Sequence, residues 1–327
     1  MARYNTLASH FRTLFGGRAQ KLSIDAGFSC PNRDGTLATT GCSFCNNDAF
    51  TPSYLRRTPS ITQQIEEGIA FHANRYHSPA AYLAYFQAYS NTHAPLETLR
   101  SRYEEALAHP AIRGLIIGTR PDCVDPHKLD YLASLAQEHY VAVEYGLESI
   151  HDTTLRRICR HHTMACSEAA IRATARRGIP VGAHLILGLP GEGQEEMLAY
   201  ADALNRLPLT SVKFHQLQIL ANTPLARDYA AHPEQFPPIE LDAYVSLVCD
   251  LVERLRPDLI IERFASEVPP RHQAAPERAW RRPDGRHLRN EELPQLVESE
   301  LARRNTRQGS RYYTTNGAAP CSFPSDN

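Results

Sequence analysis

Three cysteines, Cys30, Cys42 and Cys45, follow a short apolar run within KLSIDAGFSCPNRDGTLATTGCSFC. Three thiolates are one fewer than a closed tetrahedral metal site uses. A [4Fe–4S] cluster held by three cysteines keeps one iron open to an exogenous ligand, so such a centre can do chemistry as well as brace a fold. A structural zinc site is the competing reading. Cys42 and Cys45 have the CxxC spacing of zinc ribbons, but those sites generally pair two such turns. No second CxxC occurs here, so zinc would need a lone fourth ligand such as His10 or His72. Spacing alone favours iron–sulfur and leaves zinc open.

The residues around the cysteines suit a cluster-binding loop. Gly27, Gly35 and Gly41 permit tight turns, and Pro31 stiffens the exit from Cys30. Phe44, between Cys42 and Cys45, is placed to pack against a nucleoside base.

Such a loop must be positioned by regular elements, and the chain supplies them in alternation. Short β-rich runs at 21–25, 81–88, 113–118, 140–147, 180–187 and 211–219 are separated by helical patterns near 61–76, 96–108, 127–138, 165–177 and 193–206. Ile61, Ile65, Ile69 and His72 recur at helical spacing in the first of these helices. Alternation of this kind predicts an α/β fold with a parallel sheet and right-handed crossovers. Six units are too few for a closed eight-stranded barrel and enough for a partial one. The cysteines then fall at the C-terminal mouth of the strands, where barrel active sites assemble. A helix near 240–255 and the run 258–265 extend the core, and a last helix is expected near 291–304.

From about residue 269 the character changes. Ten arginines lie between Arg271 and Arg311 against six acidic residues, a local basic excess that is either a solvated face or an anion contact. The tail from 314 reads as disordered.

Composition narrows the function classes. A formal net charge of −1 over 327 residues gives no global field for nucleic acid. Only Lys21, Lys128 and Lys213 are lysines, the other basic residues being arginine. No run approaches the roughly 20 apolar residues of a membrane span, and the N-terminus lacks the apolar core of a secretory signal. Five further cysteines, Cys123, Cys159, Cys166, Cys249 and Cys321, are scattered and read as buried or free thiols. Clustering of the other three favours metal in a reducing cytosol.

The loop resembles that of the radical S-adenosylmethionine (SAM) superfamily, in the variant with eleven residues between the first two cysteines. With KLSIDAGFSCPNRDG before it, it looks like the YtqA/YhcC-type group, related to the radical SAM domain of Elongator's catalytic subunit. AYFQAYSNTHAP (84–95), GTRPDC (118–123), VEYGLES (143–149), HLILGLPGE (184–192), VKFHQLQIL (212–220) and QGSRYY (308–313) extend the resemblance over residues 20–313.

This resemblance implies a TIM-like partial (β/α)6 barrel over 21–265, after an N-terminal helical segment (1–20) and before an Arg-rich C-terminal extension (266–313) and the tail (314–327). It implies a [4Fe–4S] cluster on Cys30, Cys42 and Cys45, with SAM on the fourth iron, cleaved reductively to a 5′-deoxyadenosyl radical that takes hydrogen from a substrate. By position, Gln87, Tyr89, Ser90 and Asn91 after the second strand, Glu148 and Ser149 closing the fourth, Arg160, and His184 on the fifth are the implied cofactor contacts. The group usually has Arg-Gly-His where this chain has Arg160-His161-His162, so that turn lacks glycine's freedom. A reductase or a flavodoxin- or ferredoxin-type donor would supply the electron, and tRNA, at its wobble uridine, is the implied substrate. The setting would be cytoplasmic, without membrane. The rival from another class is a non-catalytic, zinc-stabilised RNA-binding protein.

Overall fold

A computed structural model describes residues 2–52, 54–55, 60–73, 79–282, 284–289 and 291–312. Seven strands run parallel in sequence order: β1 (Ala19–Ile24), β2 (Ala81–Phe86), β3 (Ile112–Thr119), β4 (Tyr140–Glu148), β5 (Val181–Leu187), β6 (Ser211–Gln216) and β7 (Ile260–Arg263). The sheet curls into a half-barrel. The expected six units are present, and the run at 258–265 adds the short seventh strand.

Helices α1 (Leu7–Phe15), α2 (Ile61–Ala73), α3 (Leu96–Leu107), α4 (Pro126–Leu135), α5 (Asp152–Arg157), α6 (Met164–Ala175), α7 (Gln194–Asn205), α8 (Pro224–Ala231), α9 (Leu241–Arg254) and α10 (Leu293–Arg303) complete the order. Several begin as their sequences dictate. Asp125 and Thr223 cap α4 and α8 from positions directly before a proline, and Thr163 caps α6. The expected tail at 314–327, and residues 74–76 of the first expected helix, lie outside the described residues.

Parallel strands buried on both faces read as nearly continuous apolar runs. Outward residues such as Leu22, Ile24, Leu115, Val143 and Leu185 join Ile65, Leu99, Leu132, Ile171 and Leu204 of the helices in the main core. The inward face is layered. At its N-terminal end Phe11 of α1 plugs the half-barrel against Leu83, Tyr85, Ile116 and Ala142. Above this plug lies a charged layer, and above that the C-terminal mouth.

Both chain ends help to close the barrel. Thr6 pairs in parallel with Ile261, and Asn5 O accepts from Ile261 N, which covers the β7 edge. Gln308 Oε1 accepts from Asn5 N at 2.8 Å, while its amide donates to Arg256 O and Leu259 O. Glu298 Oε1 on α10 accepts from Arg3 N at 2.7 Å.

Candidate active site

The loop after β1 arches over the C-terminal ends of the strands. Leu37 N and Ala38 N donate to Pro31 O, and Gly41 N donates to Asn32 O at 2.7 Å, folding the eleven intervening residues into a compact bend. Gly41 has φ 77°, a left-handed conformation that favours glycine. Ser43 N donates to Ile158 O and Leu225 N to Ser43 O, which ties the loop to the β4–α6 connection and to α8.

Cys30, Cys42 and Cys45 all line one cavity of about 240 Å³ at this mouth. Two arginines serve them. Arg33 donates to Cys45 O at 2.7 Å, and Arg160 Nη1 reaches Cys42 Sγ at 3.4 Å. Asn32 Nδ2 also donates to Cys42 Sγ, at 3.3 Å. Burial, then the neighbouring Cys42, pushes the Cys45 thiol up to about 11, so the metal-free group stays protonated at neutral pH. Burial opposes the charge of Arg160, yet Cys42 and Glu148 hold it above its ordinary value. Three thiols with arginines beside them suit an iron–sulfur centre.

The two histidines named as a fourth zinc ligand are elsewhere. His10 lies on α1, and His72 against Gln20 at the start of β1, both at the opposite end of the strands. Among the described residues no group of three His, Cys, Asp or Glu side chains converges on a single ion.

The implied cofactor contacts divide. Phe44, Gln87, Tyr89, Ser90, Glu148, Arg160 and His184 all line the cavity with the cysteines. Glu148 Oε1 pairs with Arg160 Nη2 at 3.3 Å, so its carboxylate does not cap the next helix. A Cβ on Gly146 would crowd both groups, so glycine there leaves the pair room. Phe44 rests on Leu155, Ile158, Ile186 and Leu189.

Asn91 and Ser149 are not on the cavity wall. The Asn91 amide is fully buried and donates to Phe86 O and Gly118 O, stitching the ends of β2 and β3. Ser149 Oγ turns toward Glu192, which also takes the Tyr200 hydroxyl, and accepts from His151 N. Both are small polar residues at strand ends, where they satisfy backbone or helix-start groups.

Several cavity groups were not singled out from sequence. Arg120 is 2% exposed, chelates Asp122 and donates to Arg160 O, yet its Nη1 has no partner. Ser90 Oγ and Arg160 Nε are likewise buried without a partner. Deeper, Glu144, Lys213 and His215 line the floor. Burial opposes ionisation of Glu144, but Lys21 and Lys213 outweigh it and hold its carboxyl well below the usual range. A charged residue inside an apolar strand run, as in YVAVEYGL or SVKFHQL, was the available signal.

The Arg-rich extension is largely self-neutralised. Arg282 and Arg286 converge on Glu292, Arg303 and Arg304 on Glu300, and Arg304 and Arg311 also reach Asp250 and Glu253.

A parallel α/β half-barrel with a thiol-lined pocket at the C-terminal mouth defines a class of enzyme. The chain belongs to the radical SAM superfamily, whose family model matches residues 33–204, and a Radical_SAM C-terminal domain model matches 209–293. It is 38% identical over 270 residues to the uncharacterized protein YtqA of Bacillus subtilis, covering 82% of each chain. It is 37% identical to YhcC of Escherichia coli strain K12, over 78% of this chain and 80% of that one. Among solved structures it resembles archaeal Elp3 from Methanocaldococcus infernus, with a TM-score of 0.64 at 15% identity, covering 89% of this chain and 64% of that one. The superfamily's cofactors are SAM and a [4Fe–4S] cluster, and no described helix is long and apolar enough to cross a membrane.

Proposed function

We propose that Cys30, Cys42 and Cys45 hold three irons of a [4Fe–4S] cluster and that SAM chelates the fourth. The observation that carries this reading is that Cys30, Cys42 and Cys45 all line one cavity, with Arg160 joining Cys42 to Glu148 at the end of β4. Together the two cofactors supply a 5′-deoxyadenosyl radical that abstracts a hydrogen atom from a bound substrate.

The chain's own residues bind and shield. Arg33 and Arg160 offset the charge of the thiolates. Ser90, Arg120 and Arg160 line the cavity beside the cysteines and bring polar groups suited to the methionine end of SAM. Gln87, Tyr89 and Glu148 border the same space, and Phe44 offers an apolar face to the adenine. A flavodoxin- or ferredoxin-type donor in the cytoplasm would deliver the electron.

For the substrate, the motif resemblance to Elongator's radical SAM domain supports tRNA modified at the wobble uridine. Self-pairing of the Arg-rich extension leaves Arg271 and Arg281 as exposed cations for phosphate contact.

Anaerobic reconstitution should yield brown protein with about four irons per chain and absorption near roughly 400 nm, forming 5′-deoxyadenosine from SAM and dithionite. Cys42→Ala should abolish that product, and a variant that still formed it would refute the ligand assignment. Nucleosides of bulk tRNA from a deletion strain should differ from wild type at the wobble uridine, and an unchanged profile would refute the RNA reading.

A further inference from the structure

The floor of the cavity carries a set of groups that cofactor binding leaves unused. Lys21 Nζ lies 3.0 Å from Glu144 Oε1 and 2.7 Å from Glu262 Oε1, and Lys213 Nζ lies 2.5 Å from Glu144 Oε2 and 3.0 Å from Glu262 Oε1. Lys213 also donates to the Tyr85 hydroxyl at 3.1 Å. Its three ammonium protons thus meet three acceptors, a tetrahedral demand that a planar guanidinium does not fill. The composition agrees, since only three of the 35 Lys and Arg residues are lysines and two of those three stand here.

What this square holds in place is His184. Glu144 Oε2 lies 2.9 Å from His184 Nε2. An ionised carboxylate only accepts, so Nε2 carries the proton and Nδ1 of the neutral ring presents its lone pair. Nδ1 has no protein partner among the described residues, and His184 lines the cavity. His215 stands beside it, ring centroids 5.7 Å apart, with its own Nδ1 engaged by Ser266 Oγ at 3.1 Å.

We propose that His184 is a catalytic proton acceptor for the substrate, with Glu144 and the two lysines as its positioning residues. The proposal rests on the radical SAM reading and moves His184 from the cofactor to the substrate side of the cavity. It defines a substrate class: an alcohol, amine or amide whose reacting carbon carries both the abstracted hydrogen and the O–H or N–H group. Loss of the hydrogen atom makes that O–H or N–H much more acidic. Its bond then breaks, an Nδ1–H bond forms, and the unpaired electron stays on the substrate. No further oxidant or reductant enters the step, and the new imidazolium is matched by the Glu144 carboxylate.

The charged and titratable groups facing His184 are Glu144 and Glu148 on β4 and Lys213 and His215 on β6. Burial, then Lys213, holds His184 below its ordinary value, so the ring is neutral near pH 7, as an acceptor must be.

The reconstituted full chain, with its cluster oxidised, tests this by 15N-histidine NMR near pH 7.5, the His184 signals being identified by their absence in His184→Gln. A neutral ring protonated at Nε2 is expected, and Glu144→Gln should release that tautomer preference. An imidazolium, or an Nδ1–H tautomer, in the unsubstituted protein overturns the proposal. In reconstituted His184→Gln, SAM should still perturb the reduced-cluster electron paramagnetic resonance signal, with affinity within about twofold of wild type. Loss of that perturbation with iron content intact would place His184 on the cofactor and overturn the proposal, whereas an unsubstituted chain that binds no cluster refutes the proposed function instead. With bulk tRNA from a deletion strain as the probe, turnover by His184→Gln should fall about 100-fold, and wild-type turnover by the variant overturns the proposal. If the unsubstituted chain does not turn over that tRNA, the RNA reading fails and the two spectroscopic measurements decide the role of His184.

Discussion

Arg160 sits between two residues in the left-handed region, Cys159 with φ 55° and His161 with φ 59°. The turn expected to suffer from the missing glycine forms nonetheless. Arg120 and Asn32 donate to Arg160 O, and the Arg160 side chain is held by Gly146 O and Glu148. The left-handed conformation costs a residue with a Cβ about 1–2 kcal/mol. Glycine would relieve that cost and give back about 0.4–1 kcal/mol through a freer unfolded chain. His161→Gly should therefore raise stability by about 0.5–1 kcal/mol, read as a higher urea midpoint at unchanged slope. At this scale the sequence was most legible where a residue type has few alternatives. Three cysteines beside glycines announced the loop, whereas Glu144 and Lys213 were passed over because an apolar strand pattern absorbs one charge without changing its period. Asn91 and Ser149 are ambiguous for the opposite reason, since a polar residue at a strand end satisfies local backbone as readily as it meets a ligand.

The strands and long helices could be placed to within a few residues, because parallel strands are apolar on both faces and the helices carry a clear stripe. Short elements were less visible. Helix α8 is only eight residues long, and although Thr223-Pro224 is a sound start, its apolar face is mostly supplied by Leu225. Strand β7 is four residues and owes its place to Asn5 and Thr6 on its outer edge, partners from the far end of the sequence. Helix α1 was legible as a helix but not as a plug, since what it fills is a space that exists only once the sheet has curled. Phe11, 4% exposed, is the side chain that fills it. Phe11→Ala should lower stability by about 3–5 kcal/mol, measured by chemical denaturation. A change below about 1 kcal/mol would mean that the barrel floor closes without α1.

Across the whole molecule, three histidines, His162 buried and His184 and His215 half-buried, set the response to acid. Burial, then Arg160, lowers His162 to about 3, and burial likewise leads the lowering of His184 and His215. Groups held neutral in the fold take up protons more readily once unfolded. Their contribution is full above the unfolded value of about 6.5 and is lost as pH falls below it, each at up to about 1.4 kcal/mol per pH unit. Unfolding free energies measured in urea should therefore fall steadily from pH 7 to pH 5. His162→Gln should flatten part of that slope, and a slope unchanged by this variant would show that His162 is not held neutral.

The bonds from Arg3 to Glu298 and from Asn5 to Gln308 also impose an order in time. Synthesis proceeds from the N-terminus, so the six leading strands can emerge and pair while the first residues still lack their final partners. The floor of the barrel is latched only after residue 308 has left the ribosome. A truncated product of translation would carry every cysteine of the mouth above an unlatched base. Closure of the floor thus waits on contacts that the sheet alone does not supply.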